Sequence, residues 1–294
     1  MKNSVWIVTR DDEFYIDMAI KSVIDYVDGV YVLDTGSKDN TFSKIFALQR
    51  SSPTPIVYEH KDFGGPVRFS PEYREAEARN HAMKRCTELF KSDWLIQLDS
   101  DEAYNEKFFE VLRNVQQGDG NAIGHSTLLL TAPTFLSWNK SDLSMWAGIE
   151  LHDPHVRAWR SDIGIQWENR AGQHVIPRAP GRPDYLETLR RVVTPEYVHF
   201  HLHRSFGPKC IATYLVDFKH AYEGASRELG VPMEHIFDQP YLQERYPDWF
   251  VNGKFKPKKE VFDRTKAFSR EAHVLPDFIV ERWLEWGDWS SWWE

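Results

Sequence analysis

The stretch Asp93-Trp94-Leu95-Ile96-Gln97-Leu98-Asp99-Ser100-Asp101-Glu102 joins an apolar run to two carboxylates spaced two residues apart. An apolar run of this length reads as a buried strand, with Asp99 and Asp101 at its C-terminal end. Hard cations such as Mg²⁺ or Mn²⁺ take oxygen ligands and leave positions open for water and phosphate oxygens, the protein supplying one or two carboxylates. The chemistry implied is a divalent metal held over a diphosphate. Asp-x-Asp alone is a common triplet of solvated turns. Its weight here comes from three other polar segments: Thr9-Arg10-Asp11-Asp12-Glu13, Asp34-Thr35-Gly36-Ser37-Lys38-Asp39-Asn40-Thr41 and Ala78-Arg79-Asn80.

Those segments need elements to position them. Val5 to Thr9 reads as a strand, and Phe14 to Val27 carries Ile16, Ile20, Val23 and Val27 at helical spacing, with Gly29 as a stop. Val30 to Leu33 reads as a second strand, followed by a helix through Phe42, Ile45, Phe46 and Gln49 that Asp39 or Asn40 would cap. Pro55 to Tyr58 gives a third strand. Ser70-Pro71 opens a long helix whose Ala76, Arg79, Ala82, Met83, Cys86, Leu89 and Phe90 share a face, and Trp94 to Leu98 follows. This β-α-β-α-β-α-β order predicts an α/β fold, a mostly parallel sheet flanked by helices, with ligands at the carboxyl ends of the strands. The acidic segments all fall at such ends.

Composition narrows the classes. The 294 residues are 41% hydrophobic and 14% aromatic, enough for a large core. A net charge of -8 argues against general nucleic-acid binding, which draws on accumulated Lys and Arg. The two cysteines, Cys86 and Cys210, have no metal-type spacing and read as buried thiols. No stretch approaches the ~20 apolar residues of a membrane span. Val5 to Val8 is too short, and its flank too charged, for a signal peptide, so a soluble cytoplasmic protein is expected.

Asp34-Thr35-Gly36-Ser37-x-Asp39-x-Thr41, Ala78-Arg79-Asn80-x-Ala82 and Asp93-Trp94-Leu95-x-x-Leu98-Asp99-x-Asp101-Glu102 together resemble the nucleotide-binding half of family 2 glycosyltransferases with the GT-A, Rossmann-like fold. The resemblance covers residues 4 to 105 and extends loosely to Val156–Arg160 and Gln173-His174-Val175. It implies a transferase that moves a sugar from a nucleoside diphosphate, most simply a UDP-sugar, to an acceptor that is carbohydrate, lipid, protein or nucleic-acid-linked, with inversion and with Mn²⁺ or Mg²⁺. Position by position, it implies that Thr9, Arg10 and Asp11 line the base, Asp34 holds ribose or base, and Arg79 approaches base or phosphate. Asp99 would contact ribose or metal, and Asp101 would be the principal metal ligand. An inverting enzyme also needs a carboxylate base for the acceptor hydroxyl, and Asp153, then Glu150, lie where the family's acceptor region falls. Nucleotidyl transfer and a non-catalytic sugar-binding module are the competing classes; Thr9 to Glu13 lacks the glycines of a pyrophosphorylase loop.

His199-Phe200-His201-Leu202-His203 aligns three imidazoles on one side of a strand. His201, His199 or His174 would complete the metal shell, or the histidines serve structure alone; a three-histidine zinc site would leave the first hundred residues unexplained. Twelve tryptophans include Trp138, Trp146, Trp159 and Trp167 in the proposed acceptor half, where Trp138 or Trp146 could stack on a sugar or be core. Trp283, Trp286, Trp289, Trp292 and Trp293 near the C-terminus fall close to one helical face and would dock on the protein's own body, or else on a partner protein or membrane surface. The expected organisation is a domain over 1–207, divided into a nucleotide-sugar half at 1–125 and an aromatic-rich acceptor half at 126–207 with strands at His155–Trp159, Gly164–Trp167 and Tyr197–His203. A helical extension over 208–294 would include Cys210–Ala225 and Lys259–His273, and Pro177–Pro183 would be a surface loop.

Overall fold

The computed structural model describes residues 1–65, 72–117, 126–131, 134–139, 144–148, 154–170, 173–178, 190–194, 199–202, 232, 235, 239–251, 254–255 and 281–282. The chain divides into two units, Met1–Ala132 with His152–His199, and Pro133–Leu151 with Phe200–Glu294.

In the first unit the alternation is as expected: β1 (Asn3–Thr9), α1 (Ile16–Lys21), β2 (Gly29–Asp34), α2 (Thr41–Ser51), β3 (Ile56–His60), α3 (Glu75–Phe90) and β4 (Trp94–Gln97). β5 (Glu102–Tyr104), α4 (Glu106–Gln117) and β6 (Ser126–Thr131) follow. The second unit contributes β7 (Thr134–Asn139) and β8 (Ser144–Gly148), an antiparallel pair. The chain then returns with β9 (Pro154–Arg160), the antiparallel hairpin of β10 (Gln166–Arg170) and β11 (Gln173–Arg178) and β12 (Arg190–Thr194), and β13 (His199–His201) straddles the division. Further on, the second unit has α5 (Gln239–Arg245) and the antiparallel ribbon β14 (Phe250–Val251) and β15 (Lys254–Phe255). Among the described residues no helix is long and apolar enough to cross a membrane.

The central sheet runs β12-β6-β9-β4-β1-β2-β3. β1 pairs in parallel with β2 and β4, and β2 with β3, while β9 lies antiparallel between β4 and β6. β2 is buried along its whole length and β1 nearly so, as a parallel sheet covered on both faces requires. One face packs Val5, Ile7, Val30, Val32 and Ile96 against Ile16, Ile20, Phe108 and Leu112 of the flanking helices. The other packs Trp6, Val8, Tyr31, Leu33 and Leu95 against Ala78, Ala82 and Cys86 of α3, with Trp159 and Trp167 beside them. Trp6 meets the rings of Trp159 and Trp167 edge-on at 6.3 and 5.9 Å.

Gly29 does more than stop a helix, because a Cβ there would stand 2.3 Å from the Phe90 ring. α1 ends at Lys21 rather than Val27; the residues after it continue as tight turns, with Tyr26 N–H bonded to the Val23 carbonyl at 2.9 Å. α3 begins at Glu75, after Tyr73 has turned into the core and the Arg74 N–H has bonded to the Phe63 carbonyl at 3.0 Å; its expected opening at Ser70-Pro71 lies outside the described residues. Leu89, expected on its buried face, is 42% exposed. β11 continues through Pro177, which pairs with Trp167, so any loop there starts later than expected. Trp159 and Trp167 are buried core. The side chains of Trp138 and Trp146, the helices expected at Cys210–Ala225 and Lys259–His273, and the C-terminal tryptophans lie outside the described residues.

Candidate active site at the carboxyl ends of the central strands

β1 and β2 are adjacent and parallel, so their C-terminal loops emerge side by side, and the two loops are stitched together. Thr35 donates its N–H to the Thr9 carbonyl at 3.0 Å, the Asp11 N–H goes to Ser37 Oγ at 2.9 Å, and the Lys38 N–H to Asp11 Oδ1 at 2.7 Å. The Asp12 N–H meets Thr41 Oγ1 at 2.9 Å, the Glu13 N–H meets Asp39 Oδ2 at 3.0 Å, and Glu13 accepts from the Asn40 N–H and side-chain amide. Asp39 Oδ1 also accepts the Thr41 N–H at 3.0 Å, so Asp39, of the two capping candidates, holds the start of α2. Asp11 adopts a left-handed φ of 53°, tolerable for an Asp.

Asp34, at the end of β2, is buried. Its Oδ1 accepts the Gly36 and Ser37 N–H groups at 2.9 and 2.8 Å, and its Oδ2 accepts from the Tyr58 hydroxyl at 3.0 Å. Gly36 has φ +119°, and a Cβ on it would stand 3.6 Å from the Arg10 guanidinium, which itself reaches the Gly64 and Gly65 carbonyls at 3.2 and 2.9 Å. The Thr9 hydroxyl donates to Asp12 Oδ2 at 3.1 Å, facing inward. Burial raises the Asp39 carboxyl to about 6, against the pull of its Thr41 and Glu13 hydrogen bonds. Burial also raises Asp11; the Lys38 hydrogen bond offsets part of this, and Asp12 adds to it.

A different arrangement follows β4. The chain turns with the Glu102 N–H on the Asp99 carbonyl at 3.0 Å, and Glu102 Oε2 accepts the Asp99 N–H at 3.0 Å. Asp99 Oδ1 accepts from Nη1 of Arg79 at 2.9 Å, and Oδ2 faces Nη1 of Arg157 at 3.6 Å. Arg157 also pairs with Glu102 Oε1, and His199 Nε2 lies 3.0 Å from Glu102 Oε2. Turned to accept, the Gln97 side-chain oxygen lies 2.8 Å from both guanidiniums. Burial alone would raise the Glu102 carboxyl, but Arg157 and His199 together hold it down at about 2. The Ser100 hydroxyl donates to Asp12, so this turn is tied to the stitched loops. Asp101 is 7% exposed on the same turn.

α3 brings Arg79 to this place. Glu75, one helical turn earlier, holds its Nε at 2.8 Å, and the guanidinium lies 4.7 Å over the Trp167 ring, a contact worth about 2 kcal/mol when desolvated. Asn80 beside it grips the backbone of β10, donating to the Trp167 carbonyl at 2.9 Å and accepting the Trp167 N–H at 2.7 Å. The Arg-Asn pair of the sequence motif therefore has one arm at Asp99 and one on the hairpin.

Arg79 and Asp99 are thus bonded to each other, Ser100 and Asp12 tie their turn to the loops that carry Thr9, Arg10, Asp11 and Asp34, and Asp101 lies on the same turn. Glu150 and Asp153 lie outside the described residues. His174 is on β11 and His201 on β13, with side chains outside what is described; His199 faces Glu102. Sequence reasoning assigned no role to Asp12, Gln97, Glu102 or Arg157. Arg157 carried a signal, since it shares a strand face with Trp159 and its charge on that face demands a buried partner.

The sequence profile described as Glycosyl transferase family 2 matches residues 4–149. This segment is a family 2 glycosyltransferase domain. The protein is therefore a transferase, with the GT-A type of mixed, mostly parallel sheet. That sets aside nucleotidyl transfer and the non-catalytic module. Among solved structures, S. aureus TarS 1-349 in complex with UDP is similar at 16% identity, over 85% of this chain and 78% of that one, with a TM-score of 0.44. Glucosyl-3-phosphoglycerate synthase from Mycobacterium tuberculosis, in complex with Mn²⁺, UDP and glucosyl-3-phosphoglycerate, is similar at 21% identity over 44% of each chain, with a TM-score of 0.32. Comparison with curated proteins finds no match.

Proposed function

We propose that this glycosyltransferase takes a UDP-sugar, holds its diphosphate with Mn²⁺ or Mg²⁺ at the Asp99–Asp101 turn, and transfers the sugar with inversion to an acceptor hydroxyl. The observation that carries the reading is the placement of this turn at the carboxyl end of a central strand, tied through Ser100 and Asp12 to the loops after β1 and β2. Among the described residues, no group of three or more His, Cys, Asp or Glu is arranged to hold a metal by protein ligands alone. The two carboxylates of Asp99 and Asp101 fit a hard cation that takes one or two carboxylate oxygens and fills its other positions with phosphate oxygens and water. Asp101 would be the main ligand and Asp99 the second, with His201 or His174 a further candidate.

Bound there, the cation would neutralise charge developing on the departing diphosphate. The chain's own groups divide the remaining work. Arg79, fixed by Glu75 and Trp167, offers its guanidinium edge to phosphate or base. Asp34 and the Thr9–Asp11 segment present carboxylate and backbone acceptors suited to ribose hydroxyls and base N–H groups. Asp153, and after it Glu150, is the candidate base that removes the acceptor's proton.

Thermal unfolding with UDP, GDP, dTDP or CMP, each with Mn²⁺ and with EDTA, tests this, because a ligand that binds only the native state raises its stability by mass action. The expected result is an upward shift with UDP that EDTA sharply reduces. A shift with another nucleotide alone would replace the base assignment, and a shift that EDTA leaves intact would overturn the metal.

A further inference from the structure

The geometry points to Arg157 as a positioning residue of the donor site, one that sets the Asp99–Glu102 turn and hence the aim of Asp101; this rests on the reading of that turn as the metal and diphosphate platform. The register that pairs Ile96 with Ala158 carries Arg157 alongside Gln97, on the α3 face of the sheet that Leu95 and Trp159 also occupy. From there one guanidinium nitrogen reaches Glu102 Oε1 and another stands 3.6 Å from Asp99 Oδ2. Arg157 is itself buried, and the groups its guanidinium faces are the carboxylates of Glu102 and Asp99 and the side chain of Gln97.

Its influence passes through Glu102. One carboxylate oxygen of Glu102 takes Arg157, and the other takes the Asp99 N–H at 3.0 Å. The turn is thereby closed twice, by the Glu102 N–H on the Asp99 carbonyl and by the Glu102 side chain on the Asp99 amide. Arg79 holds Asp99 Oδ1 from α3 while Arg157 faces Oδ2 from β9, so the carboxylate plane is fixed from both sides.

The test measures UDP affinity by calorimetry with Mn²⁺ and in EDTA, taking the ratio of the two, for the wild-type chain, Arg157→Met, Arg157→Lys and the strand-mate control Arg160→Met. Residues that orient metal ligands change metal affinity by about 10–100-fold when removed, so the ratio should fall at least about tenfold in Arg157→Met. It should recover in part in Arg157→Lys and stay unchanged in Arg160→Met, while the affinity in EDTA holds steady. A folded Arg157→Met with the wild-type ratio would overturn the assignment. Glu102→Gln keeps the side-chain shape, and it decides the matter by the same ratio if Arg157→Met does not fold. If the wild-type chain binds no UDP, the donor reading fails on its own, and the crystal structure of Arg157→Met decides this inference: a turn that has lost the Asp99 amide to Glu102 bond supports it, and an unaltered turn overturns it.

Discussion

Between the ends of β1 and β2, Asp34 and Asp39 are met by backbone N–H groups and a tyrosine hydroxyl, whereas after β4 Asp99 and Glu102 are met by two guanidiniums and a histidine. Neutral donors fix a carboxylate's direction but leave its charge. Burial therefore pushes Asp39 up to about 6, while Glu102, buried more deeply, is held at about 2 by its cations. The difference teaches what each region suits. Carboxylates with uncancelled charge accept well from the hydroxyl and N–H groups of a nucleoside, and a turn backed by arginines suits an anionic diphosphate with its metal.

The largest effect that could break this contrast is the loss of Glu102. Glu102→Ala removes the carboxylate shared by buried Arg157 and His199, and urea unfolding should show a loss of about 3–5 kcal/mol, typical of a buried pair deprived of one partner. Asp34→Ala removes an acceptor of three neutral hydrogen bonds and should cost less, about 1–3 kcal/mol. The reverse order would mean that the loops, not the turn, carry the tighter electrostatic coupling.

Acid titration sharpens the contrast further, because the two regions respond in opposite directions. The Glu102 carboxyl is depressed in the folded state, so its contribution is complete above the unfolded value of about 4.3 and is lost as pH falls toward 2. Asp39 is raised, so the native state holds its proton longer, and stability falls as pH rises from about 4 to about 6 and is level above that. Urea midpoints against pH should lose the first slope in Glu102→Gln and the second in Asp39→Asn. The smallest effect belongs to a pair outside both regions. Lys107 and Glu110 lie 2.9 Å apart but are nearly half exposed, and Glu110→Gln should leave the urea midpoint where it is.

Much of the sheet was legible in the sequence because apolar runs alternate with helical spacing over the first hundred residues, and the parallel order of β1, β2, β3 and β4 follows from that alternation. Element ends were less so. α3 starts late because Tyr73 is drawn into the core and Arg74 to Phe63, contacts between segments that no local pattern records. The same physical reason separates the visible from the hidden parts of the site. Asp34, Arg79, Asp99 and Asp101 sit in local motifs, but the partner of Glu102 arrives 55 residues later on an antiparallel strand. Asn80 shows the limit in another way: its motif position was recognisable, and its bonds to the Trp167 backbone, 87 residues away, appear only once β10 lies against α3.

The central claim is that the Asp99–Asp101 turn binds a nucleotide diphosphate through a divalent metal. Calorimetric titration of UDP into the wild-type chain and into Asp101→Asn, each with Mn²⁺ and with EDTA, tests it most directly. The account predicts Mn²⁺-dependent binding by the wild type that Asp101→Asn abolishes without loss of fold. Equal, metal-independent binding by both proteins would contradict it.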